Sequence, residues 1–162
     1  MPSGIYNDLG TKDLRAMLLD EGALEFILSF SNERYFFAGV DHRFKFCLIG
    51  AQKGGTSDRF TAAFRFNPRV AVAPTDFPAF VTDPQNLVTV TRASIHRFSS
   101  DSLSIMEFQT QRDYQIADKL YADHPLIGQT VDGAWNLKFT SEFHMTNDRD
   151  LFNTAGVGLP LY

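Results

Sequence analysis

The stretch "ALEFILSF", residues 23–30, is rich in Phe, Ile and Leu, and it predicts a buried β-strand. Two further stretches, "FKFCLIG" at 44–50 and "FTAAFRF" at 60–66, read as strands in the same way. Between them "KGGTSD" carries the glycines of a turn. Parallel pairing needs a crossover of about a dozen residues or more, so this short connection predicts that the last two strands form an antiparallel hairpin.

A short helix is predicted immediately before the first strand, over "GTKDLRAMLLDEG" at 10–22. Thr11 stands where an N-cap is expected, and Gly22 supplies the C-terminal stop. Its apolar stripe would consist of Leu14, Met17 and Leu18.

The second half of the chain is less regular. Residues 67–86 hold four prolines and predict an irregular connection, and "LVTVT" at 87–91 is a short β-prone run. "TQRDYQIADKLYADHP" at 110–125 predicts the clearest helix, with Thr110 and Asp113 as its capping pair. The residues expected on its apolar face are Ile116, Ala117, Leu120 and Tyr121. "WNLKFT" at 135–140 alternates as a strand does, with Trp135, Leu137 and Phe139 on one side. The chain is therefore expected to be α/β, or mixed α+β in isolation.

Composition restricts the classes of function. The 162 residues carry a formal net charge of -4, which gives no global attraction to nucleic acid. The single cysteine, Cys47, lies in an apolar strand; it excludes a disulfide framework and predicts a buried thiol in the reducing cytoplasm. No apolar run approaches the roughly 18 residues that a membrane-spanning helix needs, so no membrane partner is expected.

A cluster of polar residues stands in "SEFHMTNDRDLFN" at 141–153: Glu142, His144, Asn147, Asp148 and Asp150. Such groups are able to bind metal or move protons, which would make the chain a small metal-dependent enzyme. The other interpretation, which we favour, is that Asn147 caps a helix beginning at Asp148 and that Asp150 completes the capping box. No paired His or Cys motif stands nearby, so we expect no metal site.

A local basic stretch, "DHRFKF" at 41–46, offers an alternative function as a DNA-binding module. Arg43 and Lys45 are expected on one face of a strand, where they would contact phosphates. A solvated strand face explains the same pattern. The candidates for DNA contact are His42, Arg43, Lys45 and Arg92.

Five stretches, in order along the chain, carry a resemblance to a known family. They are "DLGTKDLRAMLLDEGALEFILSFSNERYFF" (8–37), "VDHRFKFCLIGAQKGGT" (40–56), "SSDSLSIMEFQTQRDYQIADKLYADHPLIG" (99–128), "WNLKFTSEFHMTNDRDLF" (135–152) and "PLY" (160–162). Together they resemble a segment of the large fused type II restriction-modification proteins, whose methylase transfers a methyl group from S-adenosylmethionine to adenine in DNA. The residues that match family motifs, or that flank them, are Asn32, Trp135, Thr146, Asn147, Asp148 and Asp150. Glu33 departs from the family pattern, since an Arg usually follows that Asn.

The resemblance implies a fold as well as a function. Residues 1–66 would be the distal strands and helix of a Rossmann-like methyltransferase sheet, with one strand antiparallel. Residues 67–90 would be a proline-rich connection, and residues 91–162 a helical spacer with a short strand, truncated within "PLY". The family's catalytic Asn-Pro-Pro-Tyr motif is missing, because Asn67-Pro68 is followed by Arg69.

The function implied is that of a non-catalytic fragment. It would complete the methylase core and link it to the DNA target-recognition part of the parent protein. We expect no catalytic residue and no cofactor in this chain, while the parent would bind S-adenosylmethionine and DNA. The partners would be the remainder of the methylase and the target-recognition domains, and the isolated fragment is expected to self-associate through exposed phenylalanines.

Overall fold

The computed structural model describes residues 1–133, 135–138, 140, 144 and 146–151. It divides into two compact units, Met1–His124 and Pro125–Tyr162. The first unit contains the sheet and the helices, and each unit is described by itself.

A four-stranded mixed sheet organises the first unit. Its strands are β1 (Gly22–Ser31), β2 (Lys45–Lys53), β3 (Arg59–Arg65) and β4 (Val88–Thr91). The spatial order is β2-β1-β3-β4. β1 is antiparallel to β2 and parallel to β3, while β3 is antiparallel to β4. The predicted mixture of α and β structure is confirmed, and all four strands lie where their apolar runs indicated.

The predicted hairpin between the second and third strands is wrong. β1 lies between them, with Ser29 opposite Cys47 of β2 on one side and opposite Phe64 of β3 on the other. β2 and β3 do run in opposite directions, as the short connection requires. The connection passes the start of β1. Because β1 is apolar on both faces, a central position in the sheet buries the most apolar surface.

Four α-helices are present in the described part of the chain. They are α1 (Lys12–Ala16), which continues as a π-turn over Met17–Glu21, α2 (Phe77–Thr82), α3 (Arg92–Phe98) and α4 (Gln111–Asp123). Short 3-10 turns lie at Ser3–Tyr6, Leu9–Thr11, Asn32–Arg34, Pro68–Val70, Pro84–Asn86 and Arg149–Leu151. The connection at 67–86, predicted to be irregular, contains one short α-helix and two 3-10 turns, which together take up 12 of its residues.

The predicted apolar face of the first helix is wrong. Leu14 and Met17 are exposed, whereas Arg15 and Leu19 are buried. The Arg15 guanidinium donates to the carbonyl oxygens of Ile5 and Ser102 at 3.1 and 2.7 Å. The carbonyl groups of Ile5 and Ser102 therefore stabilise Arg15 in a buried position, and Leu14 faces the solvent instead.

The predicted face of α4 is correct in part, because Ala117 and Tyr121 pack against the core. Its capping box is present as predicted, with the Thr110 and Asp113 side chains bonded reciprocally to the backbone. Ile116 and Leu120, however, are exposed, and Tyr114 is the buried residue. The Tyr114 ring packs near the rings of Phe98 and Phe108, and its hydroxyl lies 3.1 Å from Oγ1 of Thr91. These aromatic contacts set the rotation of the helix.

Apolar residues fill both faces of the sheet. On one face the core comprises Tyr6, Leu19, Leu24, Ile27, Cys47, Phe60, Ala62, Phe64, Val88, Val90, Ile95, Phe98, Leu103, Ile105, Phe108 and Tyr114. On the other face Phe30 lies at the centre of a phenylalanine cluster with Phe36, Phe46, Phe77 and Phe80. α2 lies against that face through Phe77 and Phe80, whose rings pack on Phe30.

The two edges of the sheet are covered to different extents. At the β4 edge the Gln111 side chain accepts from the Thr89 N–H at 2.7 Å and donates to the Thr89 carbonyl at 3.2 Å. At the β2 edge Met1 bonds to both backbone groups of Cys47. Because backbone direction alternates along a strand, the N–H and C=O groups of Ile49 and Ala51 also point away from β1.

In the second unit the predicted strand at 135–140 is wrong for residues 135–138, which lack strand structure. Asn136 has a positive φ of 44°, and its side chain accepts from the Val131 N–H at 2.7 Å. Trp135 is 91% exposed. Phe139 lies outside the described residues. Within the described residues, no helix is long and apolar enough to cross a membrane.

Candidate functional site

Asn32, the residue that the family resemblance singles out after β1, organises the loop that leads to β2. Its side chain is fully buried and donates to the carbonyl oxygens of Phe37 and Val40 at 3.0 and 2.9 Å. Its Oδ1 accepts from the Phe37 N–H at 3.0 Å. An Asn supplies donors and an acceptor from one short side chain, so it fixes this loop without a metal or a ligand.

The same loop carries two of the four candidates for DNA contact. Arg43 lies in the turn before β2 rather than on the strand, and both its guanidinium and its backbone N–H donate to Asp41. These hydrogen bonds lower the pKa of the Asp41 carboxyl well below its usual range. His42 lies 3.7 Å from Asp41 and 4.0 Å from Glu33. The carboxylates therefore offset the positive charge that a phosphate would meet here.

Lys45, the third candidate, belongs to a polar network at the end of β1. Its ammonium lies 3.2 Å from Glu107 and 3.9 Å from the centre of the Phe66 ring. Glu107 in turn accepts from the buried Tyr6 hydroxyl at 2.8 Å, and that hydroxyl lies 3.0 Å from Ser29 Oγ. Burial raises the pKa of Tyr6 well above its ordinary value, with a contribution from the negative charge of Glu107.

Arg92, the fourth candidate, lies at the opposite end of the sheet. It follows Thr91 of β4, which is paired with Arg59 at the start of β3. Lys45 is paired with Ser31 at the far end of β1. A ten-residue strand is about 30 Å long. The structure thus brings His42, Arg43 and Lys45 to one end and leaves Arg92 at the other.

Around Arg92 is an open cleft of about 510 Å³ that the sequence analysis did not recognise. We call it the Arg59–Arg92 cleft; its lining residues are Asp20, Asp58, Arg59, Thr91, Arg92, Ala93 and His96. His96 Nε2 lies 3.0 Å from the Asp20 carboxylate. The four-residue spacing of Arg92 and His96 on α3 was the available signal, since it places both on one helix face.

Cys47 is buried in β2, as predicted. Burial raises the pKa of its thiol, and the thiol lies 3.6 Å from the Pro2 carbonyl oxygen. A buried thiol with a raised pKa is a poor nucleophile, because the thiolate is the reactive form. Its environment is therefore that of a core residue.

The turn at 144–151 is held by different residues from those predicted. The Asn147 and Thr146 N–H groups donate to Nδ1 of His144 at 3.2 and 3.3 Å. The Asp148 carboxylate accepts from the His144 N–H at 2.6 Å. A 3-10 turn, Arg149–Leu151, lies where the predicted helix would begin, and the residues after Leu151 lie outside the described ones. The reciprocal bonds that we assigned to Asn147 and Asp150 are thus made by His144 and Asp148.

The described residues of the polar cluster at 141–153 do not converge as the ligands of a metal ion would. Of its members, Glu142 lies outside the described residues, and in the described part of the chain no three His, Cys, Asp or Glu side chains converge as metal ligands would. Asp148 uses its carboxylate within the turn, while Asp150 is exposed.

Comparisons with known proteins identify no family for this chain. No protein-family model matches the chain, and neither does a curated protein or a solved structure.

Proposed function

We propose that the chain is a non-catalytic piece of a type II restriction-modification adenine methyltransferase. In this proposal it completes a Rossmann-like methylase sheet in the cytoplasm and links it to the DNA target-recognition part. S-adenosylmethionine and DNA are then bound by the parent protein. The proposal rests on five family-like stretches in order and on one structural observation, the open edge of β2.

The open edge supports the proposal because it provides a place for another strand. β2 is antiparallel to β1 and lies at the end of the sheet order. The resemblance implies that the first two strands are the last of a larger sheet, with one of them antiparallel. Beyond Cys47, where Met1 occupies the edge, the N–H and C=O groups of Ile49 and Ala51 have no backbone partner among the described residues, so an added strand would pair with them.

The face beside that edge is also incompletely covered. Phe26, Leu28 and Leu48 line an apolar groove of about 420 Å³ that reaches Val81 of α2. Leu48 is 43% exposed. An apolar groove next to an open strand edge is typical of a surface that packs against further structure. In the proposal this structure is the remainder of the methylase.

The DNA sequence flanking the reading frame tests this parentage directly. We expect an Asn-Pro-Pro-Tyr motif upstream and Glu-Gly-Lys-Met directly after "PLY". Flanking DNA that encodes neither motif contradicts the proposal.

A methyl-transfer assay tests the non-catalytic role. The chain alone should transfer no methyl group from labelled S-adenosylmethionine to DNA, and adding the upstream methylase part should restore transfer. Turnover by the chain alone contradicts the proposal. A mixture that stays inactive, when the intact parent is active under the same conditions, contradicts the role in completing the sheet.

The two alternatives from the sequence receive less support from the geometry. A free-standing DNA-binding module would need its cations together, but Arg43 and Lys45 face carboxylates and Arg92 lies at the other end of the sheet. Such a module predicts affinity for DNA that falls steeply with salt. The metal-dependent enzyme predicts bound metal that an His144→Ala variant loses, which elemental analysis measures.

A further inference from the structure

We propose that the Arg59–Arg92 cleft binds a phosphate group. This goes beyond the role in the methylase sheet, because it concerns the end of the sheet remote from Lys45, and its Arg59, Arg92 and His96 lie outside the family-like stretches. Three separate segments of the chain supply the site: the π-turn after α1, the start of β3, and the junction of β4 with α3.

Two arginines line the cleft at this end of the sheet. Arg59 is the first residue of β3 and is paired with Thr91, the last residue of β4. Arg92 follows Thr91 directly, and its backbone N–H donates to the Asp58 carbonyl at 2.8 Å. The two arginines therefore begin from neighbouring strand ends that backbone hydrogen bonds hold in register.

His96 adds a third donor to the cleft. It lies four residues after Arg92 on α3, so that the two side chains share a helix face. The Asp20 carboxylate lies 3.0 Å from Nε2 and orients the ring. When the imidazole is protonated, its second nitrogen also becomes a donor.

The arginines of this cleft have few and long contacts in the described residues, and the Arg92 guanidinium donates to the Leu19 carbonyl oxygen at 3.4 Å. In the described residues no carboxylate lies within ion-pair distance of Arg59. Arg92 lies 3.9 Å from Asp58, near the limit of an ion pair, and Asp58 is 95% exposed. An exposed pair at this distance contributes little, so a ligand displaces it at small cost. Arg43 differs, since Asp41 holds it through two guanidinium nitrogens.

Phosphate is the chemical class that suits these donors. Two arginines present planar forks of N–H groups, which match pairs of oxygens on a tetrahedral anion. A single carboxylate has two oxygens and satisfies one fork, whereas a phosphate has enough oxygens to accept from two arginines and an imidazole. The source of the phosphate is either a free nucleotide or a nucleic-acid backbone, and the experiment separates them.

The test is an NMR titration of the full chain with inorganic phosphate, in which amide signals of Arg59, Arg92 and His96 should shift. We expect a Kd of about 1 mM, as for a weak ligand of few atoms. Arg59→Ala and Arg92→Ala should each weaken binding about tenfold, because each removes charge-assisted hydrogen bonds. The matched control is Arg97→Ala, on the same helix, whose side chain pairs with Asp118 and should leave the affinity unchanged.

Asp58→Asn should raise the affinity for phosphate, whereas a misfolded variant would lower it. Removing this exposed negative charge beside Arg92 should strengthen binding about threefold. The proposal is overturned if the cleft signals do not shift at about 20 mM phosphate, a concentration well above the expected Kd. It is also overturned if Arg97→Ala weakens binding as much as Arg92→Ala.

Two further titrations identify the source of the phosphate. Adenosine monophosphate and a short DNA duplex are compared through the same cleft signals, at equal phosphate concentration. Tighter binding of the mononucleotide assigns the site to a free nucleotide, and tighter binding of the duplex assigns it to a nucleic-acid backbone. If both shift signals only outside the cleft, the proposal fails, whereas the parentage of the chain is decided independently by the flanking DNA.

Discussion

Replacement of Asn32 by alanine tests whether this residue fixes the loop between β1 and β2. The buried side chain makes three hydrogen bonds, two to carbonyl oxygens and one from the Phe37 N–H. A typical intramolecular hydrogen bond contributes about 1 kcal/mol, so Asn32→Ala should lower the free energy of unfolding by about 3 kcal/mol. With a urea dependence of about 2 kcal/mol per molar, the unfolding midpoint should fall by about 1.5 M.

Asn86→Ala is the matched control. Asn86 is partly buried and donates a single hydrogen bond, to the Phe80 carbonyl at 3.2 Å. Its loss should cost about 1 kcal/mol, or about 0.5 M in the midpoint. If Asn32→Ala costs no more than Asn86→Ala, the loop does not depend on the Asn32 side chain and the reasoning is refuted.

An Asn32→Asp variant adds a pH dependence with a definite sign. The carboxylate would face the carbonyl oxygens of Phe37 and Val40, so burial and these dipoles raise the folded-state pKa of the new group above its unfolded value. A raised pKa gives stability that is present below the unfolded pKa and is lost as the pH rises. The variant should therefore be less destabilised at pH 4 than at pH 7, relative to the unsubstituted chain. Equal destabilisation at the two pH values would contradict the hydrogen-bond assignment.

Three further predictions concern other parts of the first unit. Tyr6→Phe removes the hydrogen bonds of a buried hydroxyl and should cost about 1–2 kcal/mol in urea unfolding, while the same change at the exposed Tyr35 should cost under about 0.5 kcal/mol. Because the pKa of Tyr6 is raised, its contribution is lost as the pH rises above about 10, where tyrosine in the unfolded chain ionises, and Tyr6→Phe should flatten this decline. Ala51→Pro should reduce self-association in sedimentation with little effect on folding, whereas Gln52→Pro, whose N–H faces β1, should destabilise the sheet; equal effects would contradict the open edge. Cys47 should react with a thiol reagent at least about a hundredfold more slowly in the folded chain than in urea, and equal rates would contradict its burial.

Local patterns in the sequence predicted the secondary structure better than the arrangement of the strands. The apolar runs marked all four strands, and Thr110 with Asp113 marked the start of α4 through a capping box. These signals are contained within a few residues. The order β2-β1-β3 depends instead on which strand buries the most apolar surface when both its faces are covered. The short β2–β3 connection, taken alone, favours direct pairing of β2 with β3, which does not occur.

Apolar spacing predicted the helix faces only in part, Ala117 and Tyr121 of α4 being correct, because the contacts of single side chains determine which face is buried. In α1 the buried residue is Arg15, whose guanidinium is satisfied by backbone carbonyls distant in sequence. In α4 the ring and hydroxyl of Tyr114 find partners on β4 and α3. Periodicity weighs all apolar residues alike and contains no information about such partners.

The candidate sites show the same limit. Asn32 was singled out by resemblance, but its role in the loop follows only from bonds to Phe37 and Val40. The Arg59–Arg92 cleft joins residues from three segments, so no local motif could reveal it. The cluster around His144 was visible in the sequence, yet the turn uses its imidazole and Asp148 to bind backbone groups.

The Gln111 side chain, bonded to both backbone groups of Thr89, limits how copies of this chain are able to pair through the edges of the sheet. It occupies the β4 edge, so that within the described residues the part of β2 beyond Cys47 is the edge left for a second molecule to extend the sheet. A filament needs two usable edges on every molecule, whereas one usable edge permits a single joint. Two copies that meet β2 to β2 across a two-fold axis consume both edges and close the assembly. If copies of this chain associate through their sheets, we therefore expect a dimer in sedimentation, and larger species that grow with concentration would contradict this.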